Sequence, residues 1–404
     1  MGDNMIEDKL TNKNLCTGCH ACMNICPQDC VEMKFDEEGF LYPRVNIEYC
    51  IQCNKCVNIC PSLKKLPEAM GNEMLIAYAC QAKDDKIRLI SSSGGIFSLI
   101  AQEVISNEGI VFGAGFDKEF NLKHFYSDDM NVILDKFTGS KYVQSNIGTT
   151  YKQVKDFLDN DRLVLFTGTP CQVAGLKSYL GKDYDNLVCV DLVCHGVPSP
   201  FMWNKYKEYR EREAKSTAKR ISFRHKKYGW KRYSVLFEFA NNTEYLHTLD
   251  KDMYMRAFLK DIALRPSCYN CKFKGYKRYS DMTLADFWGI EEVTDSFKDD
   301  LGTSLITLNS LKGKKIFETL NDSVKSEEVD IKKALEYNKA ALKSAEKHPS
   351  RDEFMNRLKT MEFDELVDLY CKDSFSLRLK SVMINLLIKT NTFNLAKKVL
   401  KRNN

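Results

Sequence analysis

The chain has 404 residues, of which 44% are hydrophobic and 28% are charged, and its formal net charge is +5. These values are typical of a globular protein of two or three domains, and no apolar run reaches the roughly 18 residues that a membrane-spanning helix needs. The acidic N-terminus lacks the pattern of a signal peptide, so the 16 cysteines are expected in the cytoplasm, bound to metal rather than paired in disulfides.

The N-terminal region contains the pattern C-x2-C-x2-C-x3-C-P twice, first at Cys16–Pro27 and again at Cys50–Pro61. In this spacing the first three cysteines of each copy bind one cubane cluster and the fourth binds the other. The pattern predicts two [4Fe–4S] clusters, the first on Cys16, Cys19, Cys22 and Cys60 and the second on Cys50, Cys53, Cys56 and Cys26. A pair of zinc knuckles is the alternative, although structural zinc usually joins two C-x2-C units across a longer loop.

Residues 1–66 are therefore assigned to a small 2[4Fe–4S] ferredoxin-type domain, with a β-hairpin that turns at Glu38–Gly39. Residues 74–350 form a second, larger domain in which strands alternate with helices, a pattern that predicts a mixed α/β fold with a largely parallel sheet. The predicted strands are 74–82, 109–115, 162–167, 186–193, 221–225, 233–239, 244–247, 282–287 and 304–309. The predicted helices are 96–106, 149–158, 172–180, 252–262 and 313–321, and only helices are predicted from residue 330 onward.

Four further cysteines lie close to the ends of predicted elements. Cys171 starts a helix, where the helix N-terminus is expected to lower the thiol pKa, and Cys194 ends a strand. Cys268 and Cys271 form a C-x2-C pair. Because parallel strands deliver their carboxyl ends to one edge of a sheet, a third [4Fe–4S] cluster is predicted on these four thiols. Structural zinc and unliganded buried thiols remain open, and the other cysteines have no matching spacing: Cys30, Cys80, Cys189 and Cys371.

A flavin is expected because clusters carry single electrons, whereas most organic substrates exchange electron pairs. The loop Ser91–Gly95 precedes a helix, so its N–H groups are suited to a pyrophosphate, although a turn that merely starts the helix fits equally well. A second loop at 137–145 adds hydroxyls, a lysine and a tyrosine. Neither G-x-G-x-x-G nor a P-loop is present, so an ordinary Rossmann nucleotide site is not indicated.

Seven motifs, in this order, resemble the coenzyme F420 hydrogenase/dehydrogenase β-subunit family over about residues 74–350. They are Ser91–Gly95, Gly139–Ser145, Gly168–Leu176, Leu192–Pro200, Tyr228–Trp230, Arg265–Cys271 and Ser280–Gly289. Members are iron–sulfur flavoproteins that include a hydrogenase subunit reducing F420, F420-dependent sulfite reductase domains and ferredoxin-dependent reductases of chlorophyll-type pigments. The resemblance supports Cys171, Cys194, Cys268 and Cys271 as cluster ligands. It implies FAD at Ser92, Ser93, Gly94, Gly95, Gly139, Ser140, Lys141, Tyr142 and Gln144.

The candidate catalytic residues are His195 and Lys141. His195 follows a predicted ligand and is expected to donate to a cluster sulfur rather than to protonate a flavin or product. Lys141 is expected to balance flavin or phosphate charge, with a solvated lysine as the alternative. Arg224, His225 and Trp230 lie in a hairpin that is expected to cover the site.

Residues 351–404 are predicted to form a helical, basic C-terminal region. From residue 372 onward the chain has eight Lys or Arg residues against one Asp, together with an apolar stripe at 377–387. Packing of this tail on the main body is expected, and weak contact with an anionic membrane surface or an acidic partner is the alternative. The remaining chain has no excess of positive charge, so no nucleic-acid partner is expected.

The sequence therefore predicts an iron–sulfur flavoprotein oxidoreductase. It is expected to pass electrons between a ferredoxin-like partner and FAD through [4Fe–4S] clusters, and to exchange hydride with F420 or another small organic acceptor. The alternative is a non-catalytic electron-transfer subunit that serves a separate hydrogenase, dehydrogenase or glycan-modifying enzyme. A scaffold that uses its clusters only for stability is a third interpretation.

Overall fold

A computed structural model of the chain describes residues 5–64, 75–297 and 299–372. These residues form a small N-terminal module, residues 5–64, and a larger α/β domain that packs against it. Residues 67–73, between the two predicted domains, and the apolar stripe at 377–387 lie outside the described residues. Within the described part of the chain, no helix has both the length and the apolar character needed to span a membrane.

The N-terminal module combines a two-stranded hairpin with three short helices. Its elements are α1 (Ile6–Lys9), α2 (Ala21–Ile25), β1 (Val31–Phe35), β2 (Leu41–Val45) and α3 (Lys55–Asn58). The strands are antiparallel and turn at the predicted position, where Gly39 has a positive φ of 82°. The core of the module is built largely from cysteine side chains that pack with Val31, Phe40 and Tyr42. Because the module has few apolar side chains, its cysteine side chains supply much of its buried core.

The main domain begins with the strands and helices of the large sheet. In chain order these are β3 (Ile76–Ala82), α4 (Asp85–Ile90), α5 (Ile96–Ser106), β4 (Ile110–Phe116), β5 (Leu122–Ser127), α6 (Met130–Val132), α7 (Thr150–Asp159), β6 (Val164–Gly168), α8 (Pro170–Leu180) and β7 (Leu187–Leu192). The second half adds α9 (Pro200–Ala214), β8 (Ala218–His225), β9 (Ser234–Phe239), β10 (Glu244–Thr248), α10 (Met253–Leu259), β11 (Met282–Asp286), β12 (Ser304–Leu308), α11 (Leu311–Thr319), β13 (Val324–Val329), α12 (Ile331–Glu336), α13 (Arg351–Arg357) and α14 (Phe363–Tyr370).

The large sheet has eight strands in the order β13-β3-β12-β11-β7-β6-β4-β5. Its four central strands, β11, β7, β6 and β4, are parallel, whereas the strands on both sides of them pair antiparallel. The mixed α/β fold is therefore confirmed, but the prediction of a largely parallel sheet is wrong. The β4–β5 pair is antiparallel because a tight turn joins the two strands directly, and antiparallel strands need only such a turn.

A separate three-stranded meander, β8 to β10, carries a second core with the helices around it. Trp203 and Tyr206 of α9 are buried there beside Phe237 of β9 and Tyr254 of α10. Phe363 of α14 contacts the Tyr206 ring, with centroids 5.2 Å apart. The two helices α13 and α14 thus share one core with the meander.

The N-terminal module is joined to the main domain by buried contacts. Asn24 of α2 donates from Nδ2 to the Gly148 carbonyl over 2.9 Å, and Ser178 of α8 donates to the Ile59 carbonyl over 2.5 Å. Cys19 itself packs in the apolar cluster that lies under α7 and α8. The first predicted cluster site therefore lies at the boundary between the two regions.

Candidate functional site: three thiol groups and a cavity at the sheet edge

The first group of thiols joins both halves of the repeated motif. Burial raises the pKa of Cys19 and Cys22, and the neighbouring thiols of Cys16 and Cys60 raise both pKa values further. This mutual influence requires the four thiols to lie close together. The structure thus brings together the set that the spacing predicts, including Cys60 from the second copy of the motif.

The second group lies farther out in the module and contains one thiol that the sequence analysis did not single out. Cys30 approaches Cys26 with 3.4 Å between the two sulfurs, and it also interacts with Cys50. Burial raises the pKa of Cys56, and Cys26 raises it further. Cys26, Cys50 and Cys56 are therefore neighbours, with Cys30 beside them.

Cys53, the remaining predicted ligand of the second cluster, is exposed to solvent. It is the only exposed thiol among the predicted ligands of the two N-terminal clusters.

The third group gathers four cysteines that are far apart in the sequence. Cys171 lies in the first turn of α8, Cys194 follows β7, and Cys268 lies in the 3₁₀ turn Pro266–Asn270 that leads to Cys271. Burial raises the pKa of Cys171, Cys194 and Cys268 to about 12, and every pair among the four thiols interacts electrostatically. The four thiols are therefore mutual neighbours.

The predicted lowering of the Cys171 pKa by the helix N-terminus is wrong for this structure. Burial of the thiol outweighs the helix effect, and Cys271 and Cys194 raise the pKa further because neighbouring thiolates repel one another. Thr169 contacts the Cys171 sulfur over 3.2 Å, and the Val197 N–H donates to the Cys268 sulfur over 3.5 Å. Such contacts hold sulfur ligands in place.

A cavity of about 1310 Å³ opens at the carboxyl ends of the central parallel strands. Gly168 at the end of β6, Cys194 after β7 and Asp286 at the end of β11 all lie on its wall. Seven of the nine predicted cofactor residues line it, namely Ser92, Ser93, Gly95, Gly139, Ser140, Lys141 and Tyr142. The third thiol group therefore borders the cavity through Cys194.

The two predicted cofactor loops contact each other directly. Ser140 donates to Ser92 Oγ from its backbone N–H over 2.5 Å and from its hydroxyl over 2.8 Å. Gly94 packs so closely against the Cys80 carbonyl oxygen that a Cβ at this position would clash with it. Gln144 points away from the loops and donates to the Thr17 carbonyl of the N-terminal module over 3.1 Å. Gly94 and Gln144 thus have packing roles outside the cavity wall.

Comparison with known proteins agrees with these observations. Residues 161–334 match the family described as the C terminus of the coenzyme F420 hydrogenase/dehydrogenase beta subunit, and residues 15–63 match the 4Fe-4S dicluster domain. The main domain therefore contains a region similar to that family, and the N-terminal module matches a 4Fe-4S dicluster domain.

Among solved structures, the F420-reducing [NiFe] hydrogenase complex from Methanosarcina barkeri contains a similar chain. The sequence identity is 16%, the TM-score is 0.43, and the match covers 72% of this chain and 88% of that chain. No curated protein matches the sequence.

Lys141 is a basic group on the second of the two predicted cofactor loops, at the wall of the cavity. Its ammonium donates to the carbonyls of Thr138 and Gly139 over 2.9 and 3.1 Å. Burial lowers its pKa to about 7, because the Asp135 carboxylate offsets only part of the loss of hydration and Lys136 lowers the pKa further. An anion in the cavity would supply that missing charge.

Of the three residues predicted to cover the site, Arg224 lies on the cavity wall, whereas Trp230 does not. Arg224 forms a two-point ion pair with Asp286 over 2.8 and 3.0 Å and donates to the Ser92 carbonyl over 3.3 Å. Trp230 donates to the same carboxylate over 2.9 Å and stacks on Trp288 at 4.8 Å. His225 is not among the residues of the cavity wall. The Arg224–Asp286 pair thus ties the meander to the first cofactor loop.

Two histidines on the wall differ in how their rings are held. His195 is paired with Asp261 and meets the edge of the Phe258 ring at 5.3 Å, so a carboxylate, rather than a sulfur, orients it. His124 of β5 is buried, with Nε2 3.0 Å from the Thr167 carbonyl and with Nδ1 unpaired. Burial lowers the His124 pKa to about 4, so its ring is neutral at pH 7. No sequence signal pointed to His124, because β5 itself was not predicted.

Proposed function

We propose that this protein is a flavin-dependent oxidoreductase that binds FAD in the sheet-edge cavity and a third [4Fe–4S] cluster on Cys171, Cys194, Cys268 and Cys271. In this proposal, electrons pass between a ferredoxin-like partner and FAD through the clusters. FAD then exchanges hydride with F420 or another small organic acceptor. The observation that carries the proposal is the cavity itself, whose wall contains both predicted cofactor loops and a thiol of the third group.

The size of the cavity supports a large cofactor. Sites for drug-sized ligands usually enclose about 300–1,000 Å³, whereas this cavity has about 1310 Å³. It therefore has space for a dinucleotide and for a small acceptor beside it. The Ser92–Ser140 contact joins the two loops that would hold the cofactor.

The charges and hydrogen-bonding groups of the wall also suit a flavin nucleotide. Lys141 offers an ammonium without a carboxylate partner among the described residues, and a phosphate would stabilise that charge. His124 presents an unpaired, buried Nδ1, and its Nε2 hydrogen faces the Thr167 carbonyl, so Nδ1 is left as an acceptor for an N–H group of a ligand. A buried acceptor without a partner costs free energy, and a bound ring N–H would remove that cost.

The third thiol group supports the proposed cluster because its four thiols are mutual neighbours. A cubane [4Fe–4S] cluster takes four such thiolate ligands.

A flavin supplies the conversion between single electrons and hydride. The protein's own residues would exclude water, orient the acceptor and hold a proton. His195 is suited to the last role because Asp261 fixes its ring at the cavity wall beside Cys194. Lys141, at the opposite loop, is suited to neutralising a phosphate.

The experiment is anaerobic purification of the full chain, followed by counts of iron, sulfide and flavin. About twelve irons per chain, four in each of three cubanes, and one FAD are expected. Purified protein is then mixed with reduced ferredoxin and tested with F420 and with nicotinamides. Eight irons and no flavin after reconstitution would overturn the proposal, whereas full cofactor content without turnover would favour an electron-transfer subunit of a separate enzyme.

A further inference from the structure

One buried arginine lies between the first and third thiol groups and has no carboxylate partner among the described residues. Arg265 is fully buried and immediately precedes the 3₁₀ turn that carries Cys268. The Cys268 N–H donates to the Arg265 carbonyl over 2.8 Å. The backbone of Arg265 thus belongs to the third group, while its side chain extends into the N-terminal module.

The guanidinium of Arg265 is held at four points around the first thiol group. It donates from Nε to the Cys16 carbonyl over 2.8 Å and from Nη2 to the Leu41 carbonyl over 2.8 Å. It also lies 3.4 Å from the Cys16 sulfur through Nη2, and Nη1 donates to Gln144 Oε1 over 2.9 Å. Its face covers the Tyr42 ring at 4.2 Å. The charge is fixed in one place by these contacts.

Arg265 also lies beside the third group, because it directly precedes the turn Pro266–Asn270 and its carbonyl accepts the Cys268 N–H over 2.8 Å. A buried cation without an anion is costly, and thiolate-bound cubanes are net anions. The geometry therefore places one cation where it can compensate two anionic clusters.

We propose that Arg265 is a positioning residue for electron transfer, the shared counter-charge of the first N-terminal cluster and the third cluster. This inference rests on the proposed third cluster. One electron moves from the reduced first cluster to the oxidised third cluster, and no bond forms or breaks. A fixed cation beside both clusters stabilises the extra electron on either of them, so it raises both reduction potentials.

Arg351 provides a matched control. It is also a buried arginine that crosses between the two regions, and it donates to the Leu264 carbonyl over 2.9 Å. Unlike Arg265, it pairs with a carboxylate, that of Glu38, over 2.9 and 2.6 Å. Loss of Arg351 therefore perturbs the same interface without removing a charge from the clusters. Arg351→Gln is expected to leave all three cluster potentials unchanged.

The experiment is an anaerobic potentiometric titration of the full chain, followed by electron paramagnetic resonance. Cys53→Ser and Cys194→Ser assign the outer and third signals. In Arg265→Gln, the reduced-to-oxidised ratio of the first and third clusters at a fixed potential is expected to fall about tenfold, which equals about 59 mV for a one-electron couple. The outer cluster on Cys26, Cys50, Cys53 and Cys56 is expected to stay unchanged.

A second variant tests the charge without removing the arginine. Gln144→Glu places a carboxylate against Nη1 of Arg265 and is expected to lower the same two reduction potentials. Because it keeps the arginine, this variant still tests the inference if Arg265→Gln loses iron. Unchanged potentials in Gln144→Glu, or equal shifts in all three clusters, would overturn the inference. The iron count of the wild-type chain is measured before any variant is made. A count of only eight irons would show that the proposed third cluster is absent, which is a separate failure from that of the Arg265 inference.

Discussion

The two regions of this protein present their thiols in opposite ways. In the N-terminal module the ligand cysteines follow one another at fixed short spacings, so local sequence defines two cluster sites. In the main domain the four thiols come from the start of α8, the end of β7 and a distant turn, and only the parallel sheet brings them together. Local motifs therefore specify the first two sites, whereas topology specifies the third and the cavity beside it.

The largest expected effect separates the third thiol group from the first two. Cys194→Ser should remove about four irons per chain and stop electron flow from the N-terminal clusters to a cavity-bound flavin, because the third cluster links them. Iron counts measure the loss of the cluster, and stopped-flow absorbance measures the electron flow to the flavin. Cys189→Ala is the control, since Cys189 is buried in mid-strand β7 away from the cavity. Equal iron content in Cys194→Ser and the wild type would contradict the assignment.

The junction between the regions should depend on one buried ion pair. Glu38→Gln leaves the buried Arg351 guanidinium with only the exposed Asp352 carboxylate at 3.3 Å. It is expected to lower the free energy of unfolding by about 3 kcal/mol. Urea titration under anaerobic conditions measures it. Glu37→Gln removes only the exposed pair with Lys13 and should cost less than about 1 kcal/mol. Similar losses in both variants would show that the buried pair does not stabilise the junction.

Cofactor binding in the main domain should depend on pH through Lys141. Its pKa of about 7 means that the ammonium is charged below pH 7 and loses its proton above it. Binding of an anionic flavin nucleotide should therefore weaken as the pH rises. Because a bound phosphate raises the pKa of Lys141, the midpoint of this weakening should lie above pH 7. Lys141→Met should weaken binding about tenfold, or about 1.4 kcal/mol, and remove the pH dependence. Flavin fluorescence titrations between pH 6 and 9 measure it, and the same pH profile in Lys141→Met would exclude Lys141 as the cause.

The last expected effect concerns the packing of the first thiol group against α8. A Cβ at Gly175 would come within 3.0 Å of Cys19 Cβ and 2.9 Å of the Tyr151 hydroxyl. Gly175→Ala is expected to cost about 1–3 kcal/mol by overpacking and to shift the signal of the first cluster. Gly181→Ala, at an open position with positive φ, should cost about 1 kcal/mol and leave the cluster unaltered. An unshifted signal in Gly175→Ala would show that Cys19 tolerates the displacement.

The sequence predicts local features well where they depend on neighbouring residues. The helix at 96–106 and the hairpin turn at Glu38–Gly39 agree with α5 and with the β1–β2 connection. The strand β5 and the edge strand β13 were not predicted, because polar and charged side chains interrupt their apolar alternation. The helix α9 was also missed, although Ser199 and Pro200 form a recognisable N-terminal cap.

The contacts that define the site depend on the tertiary structure. Arg265 belongs to a motif that the sequence analysis singled out, but its contact with Cys16, 249 positions earlier, follows only from the packing of the two regions. The unpaired nitrogen of His124 likewise appears only once β5 lies beside β4. Spacing rules cannot reach such contacts because they describe one segment at a time.

The most direct test of the central claim is a stopped-flow experiment on the reconstituted full chain. Reduced ferredoxin is mixed with wild-type protein and with Cys194→Ser, and the absorbance of the flavin is followed beside that of the clusters. The account predicts that the N-terminal clusters are reduced in both proteins, but that the flavin is reduced rapidly only in the wild type. Flavin reduction at the same rate in both proteins would contradict a path through the third thiol group.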